Sequence, residues 1–183
     1  MARYAYEPFP YHTPPELSGE TVSDAPVLIV GAGPIGLATA VDLATKGIAS
    51  IVLDDNDVVS VGSRAICWAK RTLEIFDRLG VADRMLAKGV TWKLGRVYRG
   101  DDEIYTFDLL PEDGHKFPAF INLQQYYVEQ FLVERCADFP ELINLRFKNK
   151  VMSVTQDDDS VTASIQTPDG NYDIRGAYLL ACD

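Results

Sequence analysis

The chain of 183 residues is long enough for one domain or slightly more, and a fold of this size buries roughly two-thirds of its unfolded surface. Its 47% hydrophobic and 24% charged residues describe an ordinary globular protein and exclude fibrous and disordered classes. A formal charge of −10, from 17 Lys+Arg against 27 Asp+Glu, repels phosphate backbones and anionic lipid, so neither nucleic acid nor a membrane surface is an expected partner.

Residues 1–24 carry Pro8, Pro10, Pro14 and Pro15 among aromatics, a composition that favours extended chain. They read as an arm lying on the protein's own surface or a neighbour's. The run Pro26-Val27-Leu28-Ile29-Val30 is uniformly apolar and reads as a parallel strand buried on both faces. Residues 34–46 follow as a helix rich in small residues, stopped at Gly47, and 49–53 read as a second strand. Helical spacing of Trp68, Thr72, Ile75, Phe76 and Leu79 predicts one helix over 65–79. Alternation over 93–108 around Gly100-Asp101-Asp102 predicts a hairpin outside the parallel sheet.

Helix returns over 125–138 and strand over 142–147. Three alternating strands then run over about 150–156, 160–167 and 171–176, joined by Asp157-Asp158-Asp159 and Pro168-Asp169-Gly170. The acidic triplet reads as a solvated hairpin tip rather than a metal cluster. A final apolar run, 178–182, reads as a separate buried strand ending next to Asp183.

Cys67, Cys136 and Cys182 are too widely spaced for a metal or redox motif and read as reduced thiols in a cytoplasmic protein. No apolar run is long enough for a membrane helix, and no secretion signal is evident. His12 and His115, the only histidines, fall in proline-rich or loop sequence and read as exposed side chains rather than bases.

Between the first strand and its helix lies Gly31-Ala32-Gly33-Pro34-Ile35-Gly36, a GxGxxG pattern in the context that gives the pattern meaning. Gly31 makes the tight turn, Gly33 admits a pyrophosphate to the backbone, and Gly36 lets helix and strand pack closely. The second strand ends in Asp54-Asp55, with Asp54 23 residues after Gly31, where an acid is placed to accept hydrogen bonds from a ribose. That acid would repel a 2′-phosphate, disfavouring NADP at this site. A dinucleotide site follows, and the turn by itself leaves open which dinucleotide.

The hairpin and the meander interrupt the plain βαβαβ order of a simple NAD domain and suit a longer cofactor. With Val27 to Leu37, the acid at Asp54, Ser63-Arg64-Ala65, residues 73–80 and Gln125-Tyr126-Tyr127-Val128-Glu129, the chain resembles the class A flavoprotein monooxygenases, the group of para-hydroxybenzoate, phenol and hydroxyphenylpropionate hydroxylases. The resemblance implies an α/β fold: a Rossmann-like FAD/NAD(P)-binding domain whose parallel sheet carries an inserted antiparallel meander and part of a substrate-domain hairpin. Residues 25–183 would form that domain, cut short, with 90–122 contributing to the substrate region.

By the same resemblance Arg64 reaches the FAD pyrophosphate or ribityl region, Gln125 (or its neighbour Gln124) binds the flavin side, and Asp183 belongs to an Asp-Gly motif touching FAD and the nicotinamide cofactor. Arg64 read on its own could be a surface salt-bridge residue, and Gln125 a helix cap. The implied activity is reduction of FAD by NADH or NADPH, reaction with oxygen, and transfer of one oxygen atom from a flavin hydroperoxide to a phenolic ring. Trp92, Tyr105, Phe107 and Phe120 would help wall the aromatic substrate's pocket. No residue is assigned a catalytic role and no metal site is expected. A nicotinamide-dependent dehydrogenase, or a catalytically silent nucleotide-binding fragment, are the competing readings, and a homodimer is left open.

Overall fold

A computed structural model describes residues 4–19, 25–62 and 64–183. After a short 3-10 helix at Pro15–Ser18, the elements are β1 (Ala25–Val30), α1 (Pro34–Ala44), β2 (Ser50–Leu53), β3 (Cys67–Ala69), α2 (Lys70–Arg78), α3 (Ala82–Lys88) and β4 (Val90–Trp92). The chain continues through β5 (Leu94–Arg99), β6 (Asp102–Asp108), β7 (Phe120–Asn122), α4 (Gln125–Cys136), β8 (Ile143–Arg146), β9 (Lys150–Gln156), β10 (Val161–Thr167) and β11 (Gly170–Ala181). Two compact units result, Met1–Gly62 with Glu129–Asp183, and Ser63–Val128.

The first unit is built on a six-stranded sheet in the order β8-β2-β1-β11-β10-β9. Strands β8, β2, β1 and β11 are parallel, while β11, β10 and β9 form the antiparallel meander. The expected mixed α/β fold is therefore present. Strand β1 is apolar throughout because it is central: Leu28 and Ile29 are both fully buried. Helix α1 buries Leu37, Ala40, Val41 and Ala44. On the sheet, Leu28, Ile51 and Leu53 pack with Ala163, Ile165, Tyr172 and Ile174 of the meander. Each such fully buried Leu or Ile contributes about 1.5–3 kcal/mol.

The two strands expected at 171–176 and 178–182 are one. Strand β11 pairs antiparallel with β10 as far as Gly176 and parallel with β1 from Gly176 to Ala181. Extended backbone continues through Gly176 while the strand changes partner. Nor is its second half buried on both faces, since Tyr178 is 69% and Leu180 37% exposed.

The arm residues lie on this unit. Gly62 N–H donates to Tyr6 Oη (3.2 Å), and Phe9 N–H donates to Asp57 O (2.6 Å). The Phe9 ring stacks on Phe147 at 4.5 Å, and Tyr11 and Thr13 hydroxyls donate to Asp169 (3.1 and 2.5 Å). Residues 1–3 and 20–24 of the expected arm lie outside the described residues.

The second unit holds a three-stranded sheet, β3-β7-β4, and the two-stranded hairpin β5-β6. The expected helix at 65–79 begins only at Lys70. Residues 67–69 are drawn into extended pairing with β7, and the Trp68 indole N–H donates to Leu123 O (2.6 Å). Helix α3 and the three-residue strands escape sequence reading because they are shorter than the windows over which a period becomes visible. The hairpin itself is where expected, joined at Gly100, which takes a positive φ. The acidic triplet closes the β9–β10 turn: Asp157 accepts hydrogen bonds from Asp159 N–H, Ser160 N–H and Ser160 Oγ–H, and no metal-ligand group occurs among the described residues.

Candidate nucleotide-binding site

At the carboxyl ends of β1 and β2, Gly31 turns the chain with φ +99° and donates its N–H to Leu53 O (2.8 Å). A side chain is excluded there on two counts. The backbone favours glycine, and a Cβ would come within 2.9 Å of Asp183 N. A Cβ on Gly36 would overlap Gly31 O, so helix α1 reaches the strand only because residue 36 lacks one. Gly33 differs from both. It caps α1 with ordinary extended backbone (φ −75°, ψ −177°), and a Cβ there would meet nothing within 4 Å. Its freedom from side-chain atoms leaves open space in front of a helix start that has no side-chain cap. Unpaired N–H groups and the helix dipole favour an anion at such a place.

Asp54 is held beside this turn. Its Oδ2 accepts the Ala32 N–H (2.5 Å) and its Oδ1 the Asn56 N–H (2.8 Å). Burial pushes its carboxyl above the ordinary 3.8, while the two backbone N–H groups oppose the rise. A carboxylate offers about four acceptor positions, so the two protein bonds orient the group and leave positions for the hydroxyls of a sugar. Asp54, Asp55, Gly31, Asn149, Lys150, Val151 and Asp183 line a cleft of about 100 Å³.

The structure thus brings Gly31, Asp54, Asp55 and Asp183 together, with Gly33, Pro34, Ile35 and Gly36 forming the adjoining turn and helix start. Strand β1 is flanked by β2 on one side and β11 on the other, and ligands of open α/β sheets bind at such a divide. A larger cavity of about 690 Å³ lies at the amino ends of β1, β2 and β8, away from this chemistry. The cleft, with its oriented carboxylate, is the better candidate.

Arg64 and Gln125 belong to the second unit. Gln125 bonds Ala65 twice: its N–H donates to Ala65 O (3.1 Å), and its Oε1 accepts the Ala65 N–H (3.2 Å). Gln125 therefore pins the segment that carries the exposed Arg64, and Ser63 lies outside the described residues. In the same unit Trp92 stacks on Phe120 (5.8 Å) and Tyr105 on Phe107 (5.7 Å). His115 is exposed and hydrogen-bonded to Lys70 (2.7 Å), and His12 is also exposed.

Several residues at the site escape a linear reading. Asn149 and Lys150 reach the cleft only because the strand they follow, β8, pairs with β2, which sets its end beside Asp54. Glu129, 2% exposed, accepts the Ser60 N–H (2.5 Å) and Ser60 Oγ–H (2.6 Å), anchoring the loop that leaves Asp54. Removing that carboxylate strands two donors. Glu129→Ala is expected to destabilise the chain by about 2–4 kcal/mol, read by urea unfolding, with Glu129→Gln recovering part of the loss.

A family model described as "FAD binding domain" matches residues 24–183. The chain belongs to this family. Among solved structures, p-nitrophenol 4-monooxygenase PnpA from Pseudomonas putida is similar with a TM-score of 0.80 and 30% identity, over 87% of this chain and 41% of that one. The flavin-dependent monooxygenase PieE, solved in complex with FAD and substrate, is similar with a TM-score of 0.75 and 27% identity, over 88% of this chain and 30% of that one. A probable NADH-specific resorcinol 4-hydroxylase of Rhodococcus jostii is 32% identical over 86% of this chain and 30% of its own length. The resemblance to flavoprotein aromatic hydroxylases holds, and the simple nicotinamide dehydrogenase is not favoured. This FAD-binding domain chain spans about a third of the length of the curated relatives it matches.

Proposed function

We propose that the chain is the FAD-binding portion of a flavin-dependent monooxygenase that hydroxylates a phenolic or other aromatic substrate, with NADH or NADPH as reductant and oxygen as co-substrate. The observation that carries this reading is the pairing of an oriented Asp54 carboxylate with the open, uncapped start of α1 at Gly33. These are the two features an adenosine diphosphate moiety requires, one for the sugar and one for the phosphates.

In this reading Gly33, Ile35 and Gly36 present backbone N–H groups to the pyrophosphate, Gly36 also lets α1 pack closely on the strand, and Pro34, lacking an N–H, fixes the first helical φ. Asp54 holds the adenosine ribose, and Asp55 lines the same cleft. Arg64 supplies a guanidinium fork to anionic oxygens of the cofactor, while Gln125 sets the Arg64 segment and meets the flavin side. Asp183 closes the cleft next to Gly31. When bound, FAD supplies the redox chemistry, accepting hydride from the nicotinamide and activating oxygen for transfer to the ring. The protein's part is to bind, orient and keep water away. Trp92, Tyr105, Phe107 and Phe120 are the aromatic surface offered to the ring.

Three free cysteines fit a reducing compartment, so we place the protein in the cytoplasm. Among the described residues no helix is long and apolar enough to cross a membrane.

The test is a flavin titration followed by turnover. The 183-residue chain mixed with FAD and freed of excess is expected to retain a visible flavin spectrum, and to oxidise no NADH or NADPH in the presence of phenols. A colourless chain that retained nicotinamide instead would contradict the reading.

A further inference from the structure

A buried chain of polar groups connects the N-terminal arm to the loop that carries Asp54. Arg146, at the end of β8, is 6% exposed and its Nη1 donates to both carboxylate oxygens of Glu16 (3.0 and 2.9 Å). The same nitrogen donates to Tyr172 Oη (3.0 Å), and the Tyr172 hydroxyl donates to Asn149 Oδ1 (2.8 Å). Asn149 Nδ2 donates to Phe147 O (2.8 Å), which fixes the side-chain amide from its other end. Asn149 lines the nucleotide cleft and donates its backbone N–H to Asp54 O (2.7 Å). Arg146 O accepts the Asp54 N–H (3.0 Å), and Lys148 N–H donates to Asn56 O (3.0 Å).

Segments 146–149 and 54–56 are therefore clasped face to face. Between them Lys148 takes a φ of +56°, a conformation that a non-glycine residue keeps only where its surroundings hold it. The cation beneath this clasp is balanced by Glu16, a residue of the arm. Its other terminal nitrogen, Nη2, is buried without a partner among the described residues. Without the Glu16 charge, Arg146 would be a buried, unpaired cation at the base of the ribose-binding loop, and such a group is expelled or drags its neighbours with it.

We propose that Glu16 is a positioning residue for the nucleotide: acting through Arg146, Tyr172 and Asn149, the arm holds the Asp54 loop in its binding geometry. The role rests on the reading of the cleft as an FAD site, and it makes the arm part of the cofactor-binding apparatus rather than a covering.

The experiment uses the full chain and two readouts, backbone amide hydrogen exchange of the apo-protein and the FAD dissociation constant. Glu16→Gln is expected to speed exchange at Asp54, Asn149 and Lys148 and to weaken FAD binding, each about tenfold, as a typical intersite coupling does. Amides of Ile29 and Val52, in the same sheet but off the clasp, are expected to keep their protection. Removing the stranded cation in the double variant Glu16→Gln, Arg146→Met is expected to restore most of both losses, because the backbone bonds of residue 146 remain. Thr13→Val, which cuts an arm contact outside the network, is expected to change neither. Unchanged exchange at the clasp in Glu16→Gln, or a rise spread equally over the sheet, would overturn the proposal. A parent chain that bound no FAD would contradict the cofactor assignment alone, since the exchange pattern judges the coupling without ligand.

Discussion

Gly33→Ala is expected to fold as the parent does and to bind FAD on the order of 100-fold more weakly, a loss of about 2.7 kcal/mol. The backbone of residue 33 suits alanine, and the added methyl meets no atom of the chain within 4 Å. Loss of a glycine cap and the smaller entropy of the unfolded chain oppose each other, so the apo stability should move by less than about 1 kcal/mol. What the methyl enters is the space where the pyrophosphate would lie against the helix start. Gly36→Ala supplies the contrast. Its Cβ would collide with Gly31 O inside the protein, so overpacking should lower apo stability by about 1–3 kcal/mol and affinity with it. Thermal unfolding and flavin-fluorescence titration of the two variants separate a glycine kept for the ligand from one kept for the fold. Equal behaviour of the pair would refute that division of labour.

Asp54→Asn is the second large effect. Replacing a carboxylate acceptor by a neutral amide weakens each hydrogen bond to the sugar, and two such bonds predict a loss of about 10- to 100-fold in FAD affinity. The pH dependence follows from the raised carboxyl of Asp54. Because burial lifts its pKa above 3.8, the folded apo chain holds this proton more tightly than the unfolded chain. The stability that Asp54 contributes is fully present below 3.8 and is lost as pH rises through the folded value. Ligand binding has the opposite preference, because the sugar's hydroxyls need the ionised acceptor. FAD affinity should therefore fall as pH drops through the same window above 3.8, and the Asp54→Asn chain should show no such fall. A parallel decline in both chains would assign the titration to another group.

These expectations rest on a part of the molecule whose organisation is written locally. Strand, glycine turn, helix, strand and acid follow one another within about thirty residues, the length of a βαβ unit, and each step is set by neighbours in sequence. A central parallel strand must be apolar on both faces, as Leu28 and Ile29 are, so its position can be read from composition alone. The meander is legible for a similar reason, since Asp157 and Pro168-Asp169-Gly170 mark its two turns.

Other features depend on contacts distant in sequence. Residues 67–69 read as helix but pair with β7, more than fifty residues later, and a three-residue strand has too few positions to show alternation. The break expected before 178 disappears because β11 passes from one partner to another without leaving extended conformation. Asn149 reaches the cleft through the parallel register of β8 on β2, which brings Arg146 level with Leu53. Glu16 and Arg146 are 130 residues apart, and nothing in the composition of a proline-rich arm signals that one of its acids is nearly buried against a cation. Local motifs thus mark the turn proposed for a nucleotide, whereas the residues that steady that turn emerge only from the folded sheet.

The account is tested most directly by the crystal structure of this chain soaked with FAD. Continuous density for the adenosine diphosphate is predicted across the Gly31–Gly36 turn, with the adenosine ribose hydroxyls within hydrogen-bond reach of Asp54 and the pyrophosphate over Gly33. Flavin bound elsewhere, or a turn that stays closed to the pyrophosphate while FAD saturates the protein in solution, would contradict it.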